Sequence, residues 1–222
     1  MIAPFAGLIA GMAHALSGPD HLAAVTPLAI THRRDRWRIG IQWGLGHALS
    51  VAVVGALALT TRELLPWDLI STVSERLVGV ALIGMGIWGV RAAFRHRLHS
   101  HPHKHETVCH EHVHVHSAAS DVARLRGHSH GHSAFGIGAL HGIAGGSHML
   151  AAIAALAFSS AGQAILYLAA YAAGTVTAMA LFCGTVSHLL FKTEDDRERR
   201  LPVALGISSL AALICGGFWL AG

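Results

Sequence analysis

The sequence predicts an all-α, polytopic membrane protein: six transmembrane helices forming two inverted three-helix repeats, with a long His-rich cytoplasmic loop between them. Composition is the first reason. Of the 222 residues 53% are hydrophobic and 13% charged, where about 25% charged is usual in a soluble domain. Distribution is the second. The 16 basic and 12 acidic residues are bunched into short stretches, and the apolar runs between them approach the roughly 20 residues that a helix needs to cross a bilayer. Backbone chemistry is the third. Hydrocarbon offers no partner to N–H and C=O groups, so a span is a helix or part of a closed barrel, and these Ala-, Leu- and Gly-rich runs lack the period-two alternation of a barrel.

Six spans follow in order, at about 2–30, 39–61, 77–94, 134–158, 163–191 and 201–221. The first opens with MIAPFAGLIAGMAHA, where no Lys or Arg precedes the apolar core, so it reads as a retained span and not a cleaved signal peptide. Ser17-Gly18-Pro19 interrupts this span, because proline lacks an amide donor and clashes with the preceding turn. The second holds Trp43-Gly44-Leu45-Gly46-His47 near its cytoplasmic end, with glycines that let helices approach closely. The fifth offers Gly174-Thr175-Val176-Thr177, whose hydroxyls line a candidate path. The chain thus divides into a first repeat, 1–94, a loop, 95–133, and a second repeat, 134–222.

Lys and Arg resist translocation and collect on the cytoplasmic side. Of the 16 here, only Arg62 and Arg76 fall in the second loop; the other fourteen lie in loops one, three and five. Those three loops are therefore expected to be cytoplasmic, with both termini outside the cell membrane. The same positions account for the pI near 9.4, which excludes nucleic acid as a partner and leaves the lipid bilayer. Three cysteines are too few for a disulfide framework.

The halves echo each other. Gly11-Met12-Ala13-His14 through Gly18-Pro19-Asp20-His21 opens the first, and Gly138-Ala139-Leu140-His141 through Gly145-Gly146-Ser147-His148 opens the second. Both read Gly-x-x-His-x-x-x-Gly-x-x-His. Three spans per half is an odd number, so the second half must enter the membrane from the opposite side, the inverted-repeat plan of many secondary transporters.

Ionisable groups inside a bilayer are costly and usually functional. Among Asp, Glu, Lys and Arg only Asp20 lies well within a span; with it come His14, His21, His47, His141, His148 and His188. Imidazole suits nickel, cobalt, zinc and copper, and one carboxylate adds negative charge, whereas Mg²⁺ or Ca²⁺ would want more oxygen ligands. His14, Asp20, His21, His47, His141 and His148 are the expected metal ligands, and His188 is expected at the interface. His14 and His21 would sit about 10 Å apart along an unbroken helix, so the break at Gly18 must bring them together. Gly145-Gly146 would do the same between His141 and His148. The third loop adds twelve histidines, a composition expected of a disordered metal-binding segment, with Cys109 as an extra ligand.

His14-Ala15-Leu16-Ser17-Gly18-Pro19-Asp20-His21 resembles the His-Ala-x-x-x-Asp-His signature of the nickel/cobalt transporter family. That family's relatives include nickel/cobalt efflux proteins and urease-accessory-type membrane permeases. Gly46-His47-Ala48-Leu49-Ser50 is similar to its second-span motif. The resemblance implies a permease moving Ni²⁺ or Co²⁺ as substrate, with His14, Asp20, His21 and His47 as ion-binding residues and no prosthetic group. A zinc or manganese permease, a metal sensor and a membrane metal-dependent enzyme are the alternatives, the last disfavoured by the single intramembrane acid. Alternating access of the two halves around a central site is the expected mechanism. Small residues serve contacts within or between chains equally, so a homo-oligomer stays open.

Overall fold

The computed structural model describes residues 2–32, 35–60, 66–97, 99–105, 108–114, 130–144 and 157–221. These hold seven helices and one hairpin: α1 (Ile2–Ser17), α2 (Pro19–Thr31), α3 (Arg36–Thr60), α4 (Trp67–Arg97), β1 (His99–His105), β2 (Val108–His114), α5 (His130–Ile143), α6 (Ala161–Leu190) and α7 (Glu194–Ala221). Four of the helices are long and apolar enough to cross a membrane, along Arg36–Leu57, Leu69–Arg95, Ala161–Leu190 and Arg199–Ala221, and α1 with α2, bent by 74°, is either a broken span that would make a fifth or a re-entrant loop. The sixth expected span, 134–158, is represented by α5 alone, which is 14 residues long; residues 145–156, with the expected break at Gly145-Gly146, lie outside the described residues. Large apolar side chains cover the outer surface, Ile2, Phe5, Ile207 and Phe218 each at least 66% exposed. That is the surface of a multi-pass membrane protein, since water would not tolerate so broad an apolar belt.

The bend sits where the local chemistry places it. Gly18 is extended, at φ −78° and ψ 106°, the region into which a following proline pushes its neighbour. Pro19 then starts α2 at the one position where its missing N–H costs nothing, and the Leu22 amide donates to the Gly18 carbonyl at 3.2 Å. At its other end Thr31 Oγ1 donates to the Leu28 carbonyl at 3.0 Å, and Arg197 Nη2 donates to the Thr31 carbonyl at 3.2 Å, so two of the carbonyls orphaned by the helix end are satisfied.

Packing does not follow chain order. α1 lies along α6, α3 lies between α5 and α6, and α4 lies along α7. Exchanging the halves turns the α1–α6 pair into α5–α3 and leaves α4–α7 as itself. Glycine makes these approaches close. A Cβ on Gly11 would fall on the Tyr171 carbonyl and one on Gly138 on the Trp43 carbonyl; Gly46 meets Phe135, and Gly174 meets Leu8, in the same way. In lipid, where no hydrophobic force drives helices together, such contact supplies the van der Waals packing that does.

Two packed groups result, α1 with α3, α5 and α6, and α4 with α7. The 13-residue α2 is wedged between them and gives side chains to three apolar clusters: Val25, Leu28 and Ala29 to one, Ala23 and Ala24 to another, Ile30 to the third. Outside the membrane body, β1 and β2 pair antiparallel, with His99 opposite His114 and His105 opposite Val108. This corrects the expectation of a wholly disordered His-rich segment: the His-x-His alternation has the period of a strand, and the pairing uses it.

Candidate metal centre

Three histidines from three helices meet at the bend. His14 stands one turn before the end of α1, His21 in the first turn of α2, and His47 on α3, eleven residues after Arg36 and thirteen before Thr60. His47 therefore sits near the middle of its helix, which begins at Arg36, before the expected start of the span at 39. One ligand atom from each of the three lies within 4.8 Å of the others. His14 Nε2 and His47 Nε2 are 3.2 Å apart. Two nitrogens bound to one ion at 2.0–2.1 Å stand about 2.9 Å apart at a right angle, about 3.3 Å at the tetrahedral angle and about 4.1 Å when trans. The closest pair is already spaced as two ligands of one ion, and the widest, within 4.8 Å, closes by about 0.7 Å to stand trans or by about 1.5 Å to reach the tetrahedral spacing.

The surroundings admit little water at His21 and His47. His47 is fully buried and His21 is 5% exposed. Trp43 stacks on His47, ring centroids 5.1 Å apart and planes 8° off parallel, and lies 5.1 Å from His21. His14 faces Tyr171 at 5.8 Å. Asp20 brings the one carboxylate: its Oδ2 is 3.9 Å from His21 Nε2, beyond hydrogen-bond range and outside the cluster of three. It contributes charge beside the site instead of completing that cluster. His141, on α5, stands at the edge, its ring 5.8 Å from that of His21. Its Nδ1 donates to the Ile137 carbonyl at 2.8 Å, which fixes the tautomer and leaves a bare lone pair on Nε2, the usual arrangement behind a metal-ligating imidazole.

His21 Nδ1, His47 Nδ1, His141 Nε2 and the Trp43 indole N–H are all buried and make no hydrogen bond among the described residues. Each such group costs about 1–3 kcal/mol, so four together call for an explanation. Three of the four are imidazole nitrogens, the donor type that a borderline transition-metal ion prefers.

Of the six expected ligands the structure thus brings together His14, His21 and His47, sets Asp20 and His141 beside them, and leaves His148 outside the described residues. His188 is exposed at the end of α6. Trp43 and Tyr171 were not expected as site walls. Their signal was spacing: Trp43 stands four residues before His47, and Tyr171 four before Thr175, on the same helix faces. Thr175 donates to the Tyr171 carbonyl at 3.1 Å and approaches the Gly11 carbonyl at 3.3 Å.

Among known proteins, the chain is similar to two from Arabidopsis thaliana, Chloroplast protein FOR GROWTH AND FERTILITY 2 and Chloroplast protein FOR GROWTH AND FERTILITY 1. Identity is 30% over 214 residues and 27% over 212. Both matches cover 95% of this chain and 54% and 56% of the plant proteins, so the chain spans about half the length of these curated relatives. It is also 27% identical over 179 residues to the urease accessory protein UreH of Bacillus sp. (strain TB-90), 79% of this chain and 72% of that protein. No solved structure matches. A helical membrane bundle matched almost end to end, over residues 2–219, by the family model for the Cytochrome C biogenesis protein transmembrane region belongs to that family.

Proposed function

We propose that the protein is a cell-membrane permease for a divalent transition-metal cation, Ni²⁺ or Co²⁺ by preference, and not an enzyme. The observation that carries this reading is the group of three imidazoles, His14, His21 and His47, whose ligand atoms lie within 4.8 Å of one another inside a membrane bundle. Asp20 and His141 stand beside these three, and His148 is assigned as a further ligand on the sequence repeat alone. The similarity to a urease accessory protein favours the metal-permease side of the resemblance. The family takes its name from cytochrome c biogenesis, yet the cluster of candidate ligands among the described residues is of imidazoles; Cys183 and Cys215 are free, on α6 and α7.

The arrangement is read as two inverted repeats of three spans, with both termini outside and the loop between α4 and α5 cytoplasmic. Its support is the exchange of helix pairs described above, and a pairing of walls: His14 faces Tyr171 at 5.8 Å as His141 faces Trp43 at 5.7 Å. The likeness stops at His47, where the second half has Thr175. An ion held by His47 therefore sits toward α3, away from the repeat axis.

Each half packs chiefly on the other, so the halves do not rock as two rigid bodies. The seam runs along α2, and His21 on α2 faces His14 and His47 across it. An ion bound by all three bridges the seam and draws α2 toward α1 and α3; release lets α2 return. Access alternates by that movement about Gly18. Binding needs neutral imidazoles, so protons compete with the ion, and acidification is expected to lower flux.

Reconstitution in liposomes tests the reading. Ni²⁺ or Co²⁺ flux is expected from the wild-type protein and is lost in His21→Ala. Selective Zn²⁺ or Mn²⁺ flux would replace the substrate. Absence of flux for every ion, in folded and metal-loaded protein, would overturn transport and favour a sensor.

A further inference from the structure

Along the bundle axis the three histidines stand between two aromatic rings. α3 and α6 run antiparallel where they cross: Gly40 meets Met179 and Ala180, and Gly44 meets Val176. Trp43 stands four residues before His47, and Val51, which packs with Tyr171, stands four after it. Each ring is thus about 6 Å along the axis from the level of His47, Trp43 toward the Arg36 end of α3 and Tyr171 toward the Thr60 end. The two are held alike, the Trp43 carbonyl against Gly138 and the Tyr171 carbonyl against Gly11, matching glycines of the repeated motif.

The Trp43 ring shuts its side closely. Its centroid lies 5.1 Å from those of His21 and His47 and 5.7 Å from that of His141, and the side chain is fully buried. Beyond it the same apolar cluster continues with Ile39, Met179 and Cys183, all buried. Trp37 against Gly184 places Cys183 near the Arg36 end of α3. Resting on the permease reading above, we propose that Trp43 is the gate between the metal centre and that end, the cytoplasmic one. The indole N–H is buried and meets no acceptor among the described residues. An unmet buried donor works against the closed arrangement, and α2 holds it shut, because Val25, Leu28 and Ala29 pack into the cluster that contains the ring. When α2 swings about Gly18 that packing is lost, and the indole turns to find an acceptor. Movement of α2 and opening toward the cytoplasm are therefore one event. Tyr171 packs instead with Ala10 and Val51, on α1 and α3, so the far side stays closed while Trp43 opens.

Cys183 is a built-in reporter of this gate. In full-length protein carrying Cys109→Ser and Cys215→Ser it is the one cysteine left of three, and its reaction with a small cationic methanethiosulfonate reagent is timed in detergent. Modification is expected to be slow with Trp43 present and at least about tenfold faster in Trp43→Ala, since access follows local opening. Tyr171→Ala leaves a comparable void on the other side of the histidines, controls for general loosening, and is expected to leave the rate unchanged. Equal rates in the Trp43→Ala and parent proteins, or equal acceleration by both variants, would overturn the gate. Trp43→Phe keeps a ring and a folded core while removing the N–H. It is expected to bind Ni²⁺ as tightly as the parent by calorimetry, yet to carry it across liposomes at saturating Ni²⁺ at least about fivefold more slowly, because the closed arrangement no longer bears an unmet donor. Unchanged flux in Trp43→Phe would overturn the part given to the indole N–H. Absence of Ni²⁺ flux in the parent would sink the permease reading instead, and the labelling rates, which need no transport, would still decide whether Trp43 closes the centre.

Discussion

Changing His47 to glutamine is expected to weaken Ni²⁺ binding at the membrane site by more than about 100-fold, beyond the 10–100-fold that loss of a mere supporting contact costs. His47 is fully buried and its Nε2 is the atom closest to a second ligand, 3.2 Å from that of His14. Glutamine keeps a neutral polar group of similar length, so the result is not confused with the cavity that alanine would leave. The loss is readable as stability as well as affinity. At a Ni²⁺ concentration 1,000 times the wild-type Kd, bound ion stabilises the wild type by about 4 kcal/mol, and a 100-fold weaker variant by only about 1.4 kcal/mol. Thermal unfolding with and without Ni²⁺, beside calorimetric titration, measures both. Wild-type affinity in His47→Gln would remove His47 from the ligand set, and with it the argument from three converging helices.

Gly18→Ala is expected to lower metal affinity and flux by at least about tenfold while leaving the amount of folded protein nearly unchanged. The backbone gives no reason for glycine there: φ −78° and ψ 106° suit any residue. The reason is space. A Cβ at Gly18 would stand 2.5 Å from His21 Nδ1 and 2.8 Å from its Cγ, so the imidazole must turn away. The displacement falls on a ligand and not on a helix contact, which separates this substitution from others at glycine. Detergent-solubilised protein with an unaltered thermal transition but weakened Ni²⁺ binding is the expected result. Full affinity in Gly18→Ala would mean that His21 reaches its place without that gap.

Much of this was legible beforehand because the deciding chemistry is local. The break at Ser17-Gly18-Pro19 depends on a missing amide hydrogen and a steric clash with the preceding residue. The convergence of His14 with His21 follows from it. Span existence was legible from apolar length alone; span limits were not, because hydrogen-bonded polar residues continue a helix past its apolar stretch. α4 begins at Trp67, ten residues before the expected 77, and carries Arg76, assigned from sequence to a loop, beyond Ser71, whose hydroxyl bonds Glu75 at 2.9 Å. The hairpin was missed for a different reason. Composition argued for disorder, while the alternation within His99–His105 and Val108–His114 carried a strand period that composition does not weigh. Trp43 and Tyr171 were missed because which helix faces which is a property of long-range packing. The sequence repeats suggested that the halves are related, and only the folded chain reveals that each half leans on the other.

The glycines at the helix crossings have a consequence for reading variation in this protein. In a saturation survey of substitutions, Gly11, Gly138, Gly46 and Gly174 should be as depleted as the histidines, since any side chain there meets a neighbouring backbone. Their intolerance would come from a shortage of folded protein in the membrane. Gly18 would score alike and for the opposite reason, with protein present and cargo unbound. A survey scored on growth alone would merge the two groups into one apparent site twice its true size; scoring surface abundance beside metal uptake divides them.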